Sequence, residues 1–181
     1  MTNPCALLVP RRRRGMRARL RPAWPALLLI ALLATGCDPQ RVAKLEEGVS
    51  SEVDVRRQFG DPVTVTVAPD GTRTLEYPRQ PEGWTNYVIT IGPDGKMSSL
   101  RQLLAEDNFA RVHSGMSRQQ VRDLLGRPAE QKRYDLRREE VWSWRYKPVN
   151  ESRLFSVTFD ADGKVLGTST ALDPREQAQG R

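Results

Sequence analysis

The side chains that most often carry chemistry are few in this chain, and their spacing argues against catalysis. His113 is the only histidine. It stands just before Gly115, where a helix is expected to end, so its simplest role is a contact with the C-terminal dipole of that helix. Glu139 and Glu140, like Glu46 and Glu47, are sequence neighbours. Such pairs point to opposite sides of a strand or splay on a helix, and read as solvated surface rather than as two facing carboxylates. No Gly-x-Ser-x-Gly, His-Glu-x-x-His or Walker A pattern is present, so nucleophilic, metal and phosphate sites all lack parts. No catalytic residue, metal ligand set or cofactor is expected.

Cys37 is the one cysteine with a chemical context. Residues 1–36 combine an Arg-rich start (Arg11 to Arg14, Arg17, Arg19, Arg21), an apolar run from Ala26 to Leu33 and small residues before Cys37, the three parts of a secretory signal. Roughly 8 to 12 apolar residues are too few to span a bilayer, which takes about 20. Initiation at Met16 would give a compact signal. Leu33-Ala34-Thr35-Gly36-Cys37 resembles a bacterial lipobox, in which the cysteine is acylated and becomes the new N-terminus; Ala34 stands where leucine is commoner. After cleavage Cys37 is the sole cysteine, which rules out an internal disulfide or a cysteine-based zinc site. More than one acyl chain, at about 0.8 kcal/mol per buried methylene, anchors stably. The expectation is a membrane-attached, palmitate-bearing chain, on the periplasmic face of the outer membrane. Asp38 leaves the inner membrane open, because it resembles a retention signal; it reads equally as a helix N-cap before Pro39.

The charge distribution excludes a nucleic-acid partner. Seven of the 29 Lys and Arg lie in residues 1–36, which contain no acidic residue, so 22 basic groups face 22 acidic ones in the remainder. Interspersed signs at zero net charge describe a solvated surface rather than a phosphate-binding stripe.

That remainder repeats itself. Val42-Ala43-Lys44-Leu45 followed by Gly48 and Ser50 returns as Phe109-Ala110-Arg111-Val112 followed by Gly115 and Ser117. Val55 to Pro62 matches Val121 to Pro128, with one extra residue assigned to the first helix, and Tyr87 to Lys96 matches Phe155 to Lys164. The spacing predicts a first unit over 37–105, a second over 106–172 and a disordered tail over 173–181. Residues 41–104 and 108–170 should superpose.

Each unit reads as α+β: two short helices followed by a three- or four-stranded antiparallel sheet. Ser117 and Gln120 form a capping box, Val121, Leu124 and Leu125 an apolar stripe, and Gly126 with Pro128 a stop. So short a helix needs a partner for its stripe. Trp142, Trp144 and Tyr146 alternate with polar residues, as do Phe155, Val157 and Phe159, the period of half-buried strands. Asp94-Gly95 and Asp162-Gly163 are hairpin turns, and Val63 to Tyr77 a further hairpin around Asp70-Gly71. Trp142, Trp144 and Tyr146 are candidates for an exposed interaction stripe, with core packing the stronger expectation.

Gly115-Met116-Ser117, Val121, Leu125-Gly126-Arg127-Pro128, Trp144-Arg145-Tyr146 and Val157-Thr158-Phe159 through Gly163-Lys164 resemble the BamE (SmpA/OmlA) lipoproteins over roughly residues 107–168. The first unit matches more loosely, with no Trp on its second strand. The tandem form resembles β-lactamase-inhibitor-protein-like architecture, in which repeated units form one extended sheet. The resemblance implies a non-enzymatic accessory subunit of the machinery that assembles β-barrel proteins in the outer membrane. An inhibitor-like protein-binding lipoprotein is the alternative, and an envelope hydrolase a more distant one.

Overall fold

The two longer helices of this chain start at side chains that satisfy otherwise free backbone N–H groups. The computed structural model describes residues 38–175, which fall in one compact unit. The expected signal segment over residues 1–36, Cys37 and residues 176–181 lie outside the described residues. Helix α1 (Asp38–Val42) leads to α2 (Glu52–Phe59), and α3 (Glu106–Ala110) leads to α4 (Arg118–Leu125). Ser51 and Ser117 cap α2 and α4, each in a reciprocal capping box, with Asp54 and Gln120 respectively. Both longer helices stop at a glycine with positive φ, Gly60 and Gly126. Eight residues make a helix with little intrinsic stability, so α2 is held by burial of Val55 and Phe59, and α4 by burial of Val121 and Leu125.

The surfaces that bury them are two antiparallel sheets. Strands β1 (Thr64–Val67), β2 (Arg73–Pro78), β3 (Asn86–Ile91) and β4 (Met97–Gln102) form one in sequential order. Strands β5 (Glu130–Tyr134), β6 (Glu139–Tyr146), β7 (Arg153–Phe159) and β8 (Val165–Leu172) form the other. Ladder irregularities fall between Thr90 and Ile91 and between Thr158 and Phe159. Isolated bridges join Ser51 to Lys96 and Ser117 to Lys164, fastening each cap to the last hairpin of its sheet. Each sheet has its own core. One gathers Leu75, Tyr77, Ile89, Ile91 and Met97 under α2, and the other Trp144, Phe155, Val157, Phe159 and Val165 under α3 and α4.

The α+β expectation holds with four strands per sheet, and four sequence details need correction. The sheets are separate, not one extended sheet, because no ladder links β4 to β5 among the described residues. The extra residue of the N-terminal half sits in the loop after Gly48, since α2 and α4 are each eight residues long and the cap is Ser51, not Ser50. Strand β5 carries no apolar alternation: Glu130 to Arg133 are all exposed. It exists because its backbone pairs with β6. The polar tail does not begin at Asp173, which is 2 % exposed and fixed by its own carboxylate.

Candidate interaction surfaces

Trp142, Trp144 and Tyr146 come together, but inside the molecule. They are 8 %, 0 % and 3 % exposed, on the helix-facing side of β6, so they do not form an exposed stripe. Trp142 stands edge-on to Trp144 and Phe159, and Phe109 of α3 packs between Tyr146 and Phe155. Trp144 also carries a polar function, because its indole N–H donates to the Gly126 carbonyl at 3.2 Å. Tyr77 does the same in the N-terminal half, donating its hydroxyl to the Gly60 carbonyl at 3.2 Å. Burial pushes the Tyr77 hydroxyl pKa up, which keeps it a donor. An aromatic on the second strand of each sheet thus ties down the carbonyl where the helix ends.

His113 lies beyond the end of α3, exposed, with Nδ1 3.0 Å from the Ser114 carbonyl oxygen. Glu140 is drawn to Arg118 and also accepts from the Trp142 indole at 3.0 Å, whereas Glu139 faces Arg137, so the two carboxylates do not converge. The open clefts are lined by side chains of both signs; one holds Arg118, Arg133, Arg138, Glu139, Glu140 and Asp160. Among the described residues no group of three His, Cys, Asp or Glu side chains is placed to hold a metal ion. No helix there is long and apolar enough to cross a membrane.

The most elaborate polar cluster is one that composition and periodicity do not reveal, the seam between the two halves. Strand β6 pairs with β7 through Arg145 but continues past the end of β5, leaving the Arg145 edge that faces away from β7 without a strand. Gln80, 7 % exposed, fills that place: its side-chain N–H donates to Arg145 O at 2.8 Å and its oxygen accepts from Arg145 N at 3.2 Å. The matching position on β2 is Pro78, which has no N–H to satisfy. Trp84 Nε1 donates to Ser152 Oγ at 2.8 Å, and Ser152 Oγ donates to Asp173 Oδ2 at 3.1 Å. Arg145 Nε meets the same Asp173 oxygen at 2.9 Å. Arg175 reaches back to Glu82 and to the Pro81 carbonyl. At the other end of the seam, Asn86 Nδ2 donates to Leu125 O at 2.7 Å and Arg127 O at 2.9 Å, satisfying carbonyls at the end of α4. Gly126 permits this approach, since a Cβ there would stand 3.1 Å from Asn86 Nδ2. Burial opposes charge on Asp173, but the Arg175 N–H, the Arg145 guanidinium and the Ser152 hydroxyl outweigh it and hold the carboxyl below its ordinary range.

Removing the Gln80 amide leaves both Arg145 backbone groups, which are half-buried, without that partner. Gln80→Ala is therefore expected to cost about 2 kcal/mol, read as a lower urea midpoint. A change below about 0.5 kcal/mol, typical of an exposed surface site, would mean that water replaces the amide without loss.

Sheet edges complete the inventory. Strand β5 presents Glu130, Lys132 and Arg133, charges that discourage a further strand. Strand β8 is uncharged, and from Leu166 to Leu172 every residue is exposed. Strand β1 is likewise uncharged and exposed, with Val65 and Val67 at 43 % and 63 % and Val63 just before it at 63 %.

Residues 102–169 match the family described as the outer membrane protein assembly factor BamE domain, so this segment is a BamE-like domain. No curated protein sequence matches the chain. Among solved structures, an osmotically inducible lipoprotein, OsmE, is similar at 22 % identity and TM-score 0.35, covering 44 % of this chain and 92 % of its own. A DUF4309 family protein, YjgB, from Bacillus subtilis is similar at 16 % identity and TM-score 0.32, over 75 % of this chain and 86 % of its own. A protein from Streptococcus mutans described as a beta-lactamase inhibitor protein is similar at 13 % identity and TM-score 0.30, over 75 % and 96 %.

Proposed function

From the BamE-like domain this chain carries, we propose that it is a non-enzymatic, lipid-anchored envelope protein acting as an accessory subunit in outer-membrane β-barrel assembly. The observation that carries the reading is the family match over residues 102–169. It takes in α4, the β6 aromatics and the hairpin at Asp162-Gly163, the elements that define the C-terminal half. The proposal includes a tandem duplication, with 37–105 and 106–172 as two copies of one unit. Supporting that are the same order of elements, the paired capping boxes, the bridges at Lys96 and Lys164, and the shared bond from a strand aromatic to the glycine carbonyl.

Anchoring is assigned to Cys37. Helix α1 begins at Asp38, and one or two residues reach at most about 7 Å at 3.3 to 3.6 Å each, so the N-terminal half rests against the bilayer. The C-terminal half then meets the partner, with β8 as the edge that accepts a strand of the assembly machinery. Cys37→Ala is expected to abolish palmitate labelling and move the protein from the membrane to the soluble fraction. Labelling that persists in the variant defeats the lipobox assignment.

The assembly role is tested by photo-crosslinking from residues 166–172 in intact cells, combined with membrane fractionation. Crosslinks to β-barrel assembly components in the outer membrane are the expected result. Inner-membrane fractionation with crosslinks only to unrelated proteins would sink the role. Crosslinks to the active site of an envelope enzyme would replace it with the inhibitor-like reading.

A further inference from the structure

The sheet of β1 to β4 lies between two helix pairs in sequence, and the connections do not say which should cover it. The preceding pair joins it through residues 60–63, the following pair through the shorter segment 103–105. The buried apolar faces discriminate weakly, since α2 presents Val55 and Phe59 where α4 presents Val121 and Leu125. One feature differs in kind. The first residue after the cap of α2 is Glu52, whose Oε2 lies 2.7 Å from Arg73 Nη2 on β2. The first residue after the cap of α4 is Arg118, whose Nε lies 2.8 Å from Glu140 Oε2 on β6.

These are the same position in the two halves. Arg73 pairs across the sheet with Ile91 and Glu140 with Phe159, each the residue just past the ladder irregularity. The acids are screened to the same degree, with side chains 14 % exposed at Glu52 and 16 % at Glu140. In each pair the contacting helix atom, Glu52 Oε2 or Arg118 Nε, is buried and makes no aligned hydrogen bond, so what the contact reads is the sign of the charge.

We propose that the reversed polarity of the Glu52–Arg73 and Arg118–Glu140 pairs sorts the helices, making each sheet accept its own helix pair and reject the other. Placing α4 on the first sheet sets Arg118 against Arg73, 35 % and 40 % exposed, and placing α2 on the second sets Glu52 against Glu140, 14 % and 16 % exposed, so like charges meet in both and the acid pair meets where little water screens it. Backbone shape offers no such barrier. Arg118 packs against Gly163, where a Cβ would come within 2.1 Å of its Nη1, and Gly95 at the matching turn leaves the same space open.

The test gives both halves one polarity while keeping an ion pair in each. Arg118→Glu/Glu140→Arg, made in the chain from Cys37 to Arg181, leaves an acid on both helices and a base on both sheets. Native monomer recovered on dilution from urea, scored by size exclusion and resistance to limited proteolysis, is expected to fall about fivefold, with mispaired or exchanged dimeric species in its place. This variant also loses the Arg118 stacking on Phe159 and the Trp142 acceptor on Glu140. A fourfold variant that adds Glu52→Arg/Arg73→Glu controls for that. It carries the same local losses and adds repulsion between position 52 and Arg56, the present partner of Glu52, yet it restores opposite polarity. Recovery higher in the fourfold than in the double variant is therefore a result that only sorting produces. Recovery in the fourfold variant at or below that of the double, or a double variant that refolds like the parent chain, overturns the proposal.

Discussion

Trp144→Ala is expected to lower the unfolding free energy by about 4 kcal/mol, within the range for truncating a buried core aromatic. Two losses combine. The side chain projects from β6 and is fully buried in the core it shares with α4, so its removal forfeits transfer energy and leaves a cavity in a close-packed region. The Gly126 carbonyl also loses the donor that now lies 3.2 Å away. Tyr77→Phe, which deletes only the hydroxyl that caps Gly60 at the matching place, isolates the second loss and is expected to cost about 1 kcal/mol. Against a domain stability of about 5 to 15 kcal/mol, the first change alone removes a large share. Urea unfolding at an unchanged m-value measures both. A Trp144→Ala cost no larger than that of Tyr77→Phe would contradict the packing described.

Asp173→Ala is expected to cost about 3 kcal/mol at neutral pH, the low end for breaking one side of a buried ion pair. Its carboxylate side chain is 3 % exposed and its partner Arg145 14 %, so the guanidinium left behind keeps most of its desolvation cost. The pH dependence follows from the direction of the shift. Because the folded pKa lies below the ordinary 3.8, the stabilisation is complete above that value and is lost as pH falls through the folded pKa. The parent chain and Asp173→Ala should therefore show the full difference by about pH 5 and draw together as the pH falls below the ordinary carboxylate value. A difference that stays constant across that range would show that the residue acts through packing rather than charge.

What was legible in the sequence was local. Ser117 with Gln120, the stop at Gly126, the Asp-Gly turns and the alternation on β6 and β7 each announce their structure within a few residues, and each element lies where its pattern places it. The parts that could not be read depend on partners far along the chain. Gln80 is an ordinary polar loop residue until Arg145, 65 positions later, supplies a backbone edge for it. Asp173 looks like the start of a polar tail until Arg145 and Ser152 surround it. Strand β5 is hidden because its exposed side chains leave hydrophobic periodicity silent, and only its pairing with β6 makes it a strand. The Trp142, Trp144 and Tyr146 alternation marks the strand correctly, but it does not say which face a helix will cover.

The seam also imposes an order in time on how the chain is made and finished. The loop holding Gln80, Trp84 and Glu82 finds its partners 65, 68 and 93 residues downstream, so during synthesis it waits without a seat until Arg145 and Ser152 have emerged, and without its last contact until Arg175 has. A chain that ends before Asp173 carries the unpaired Arg145 guanidinium and a loop docked on one side only.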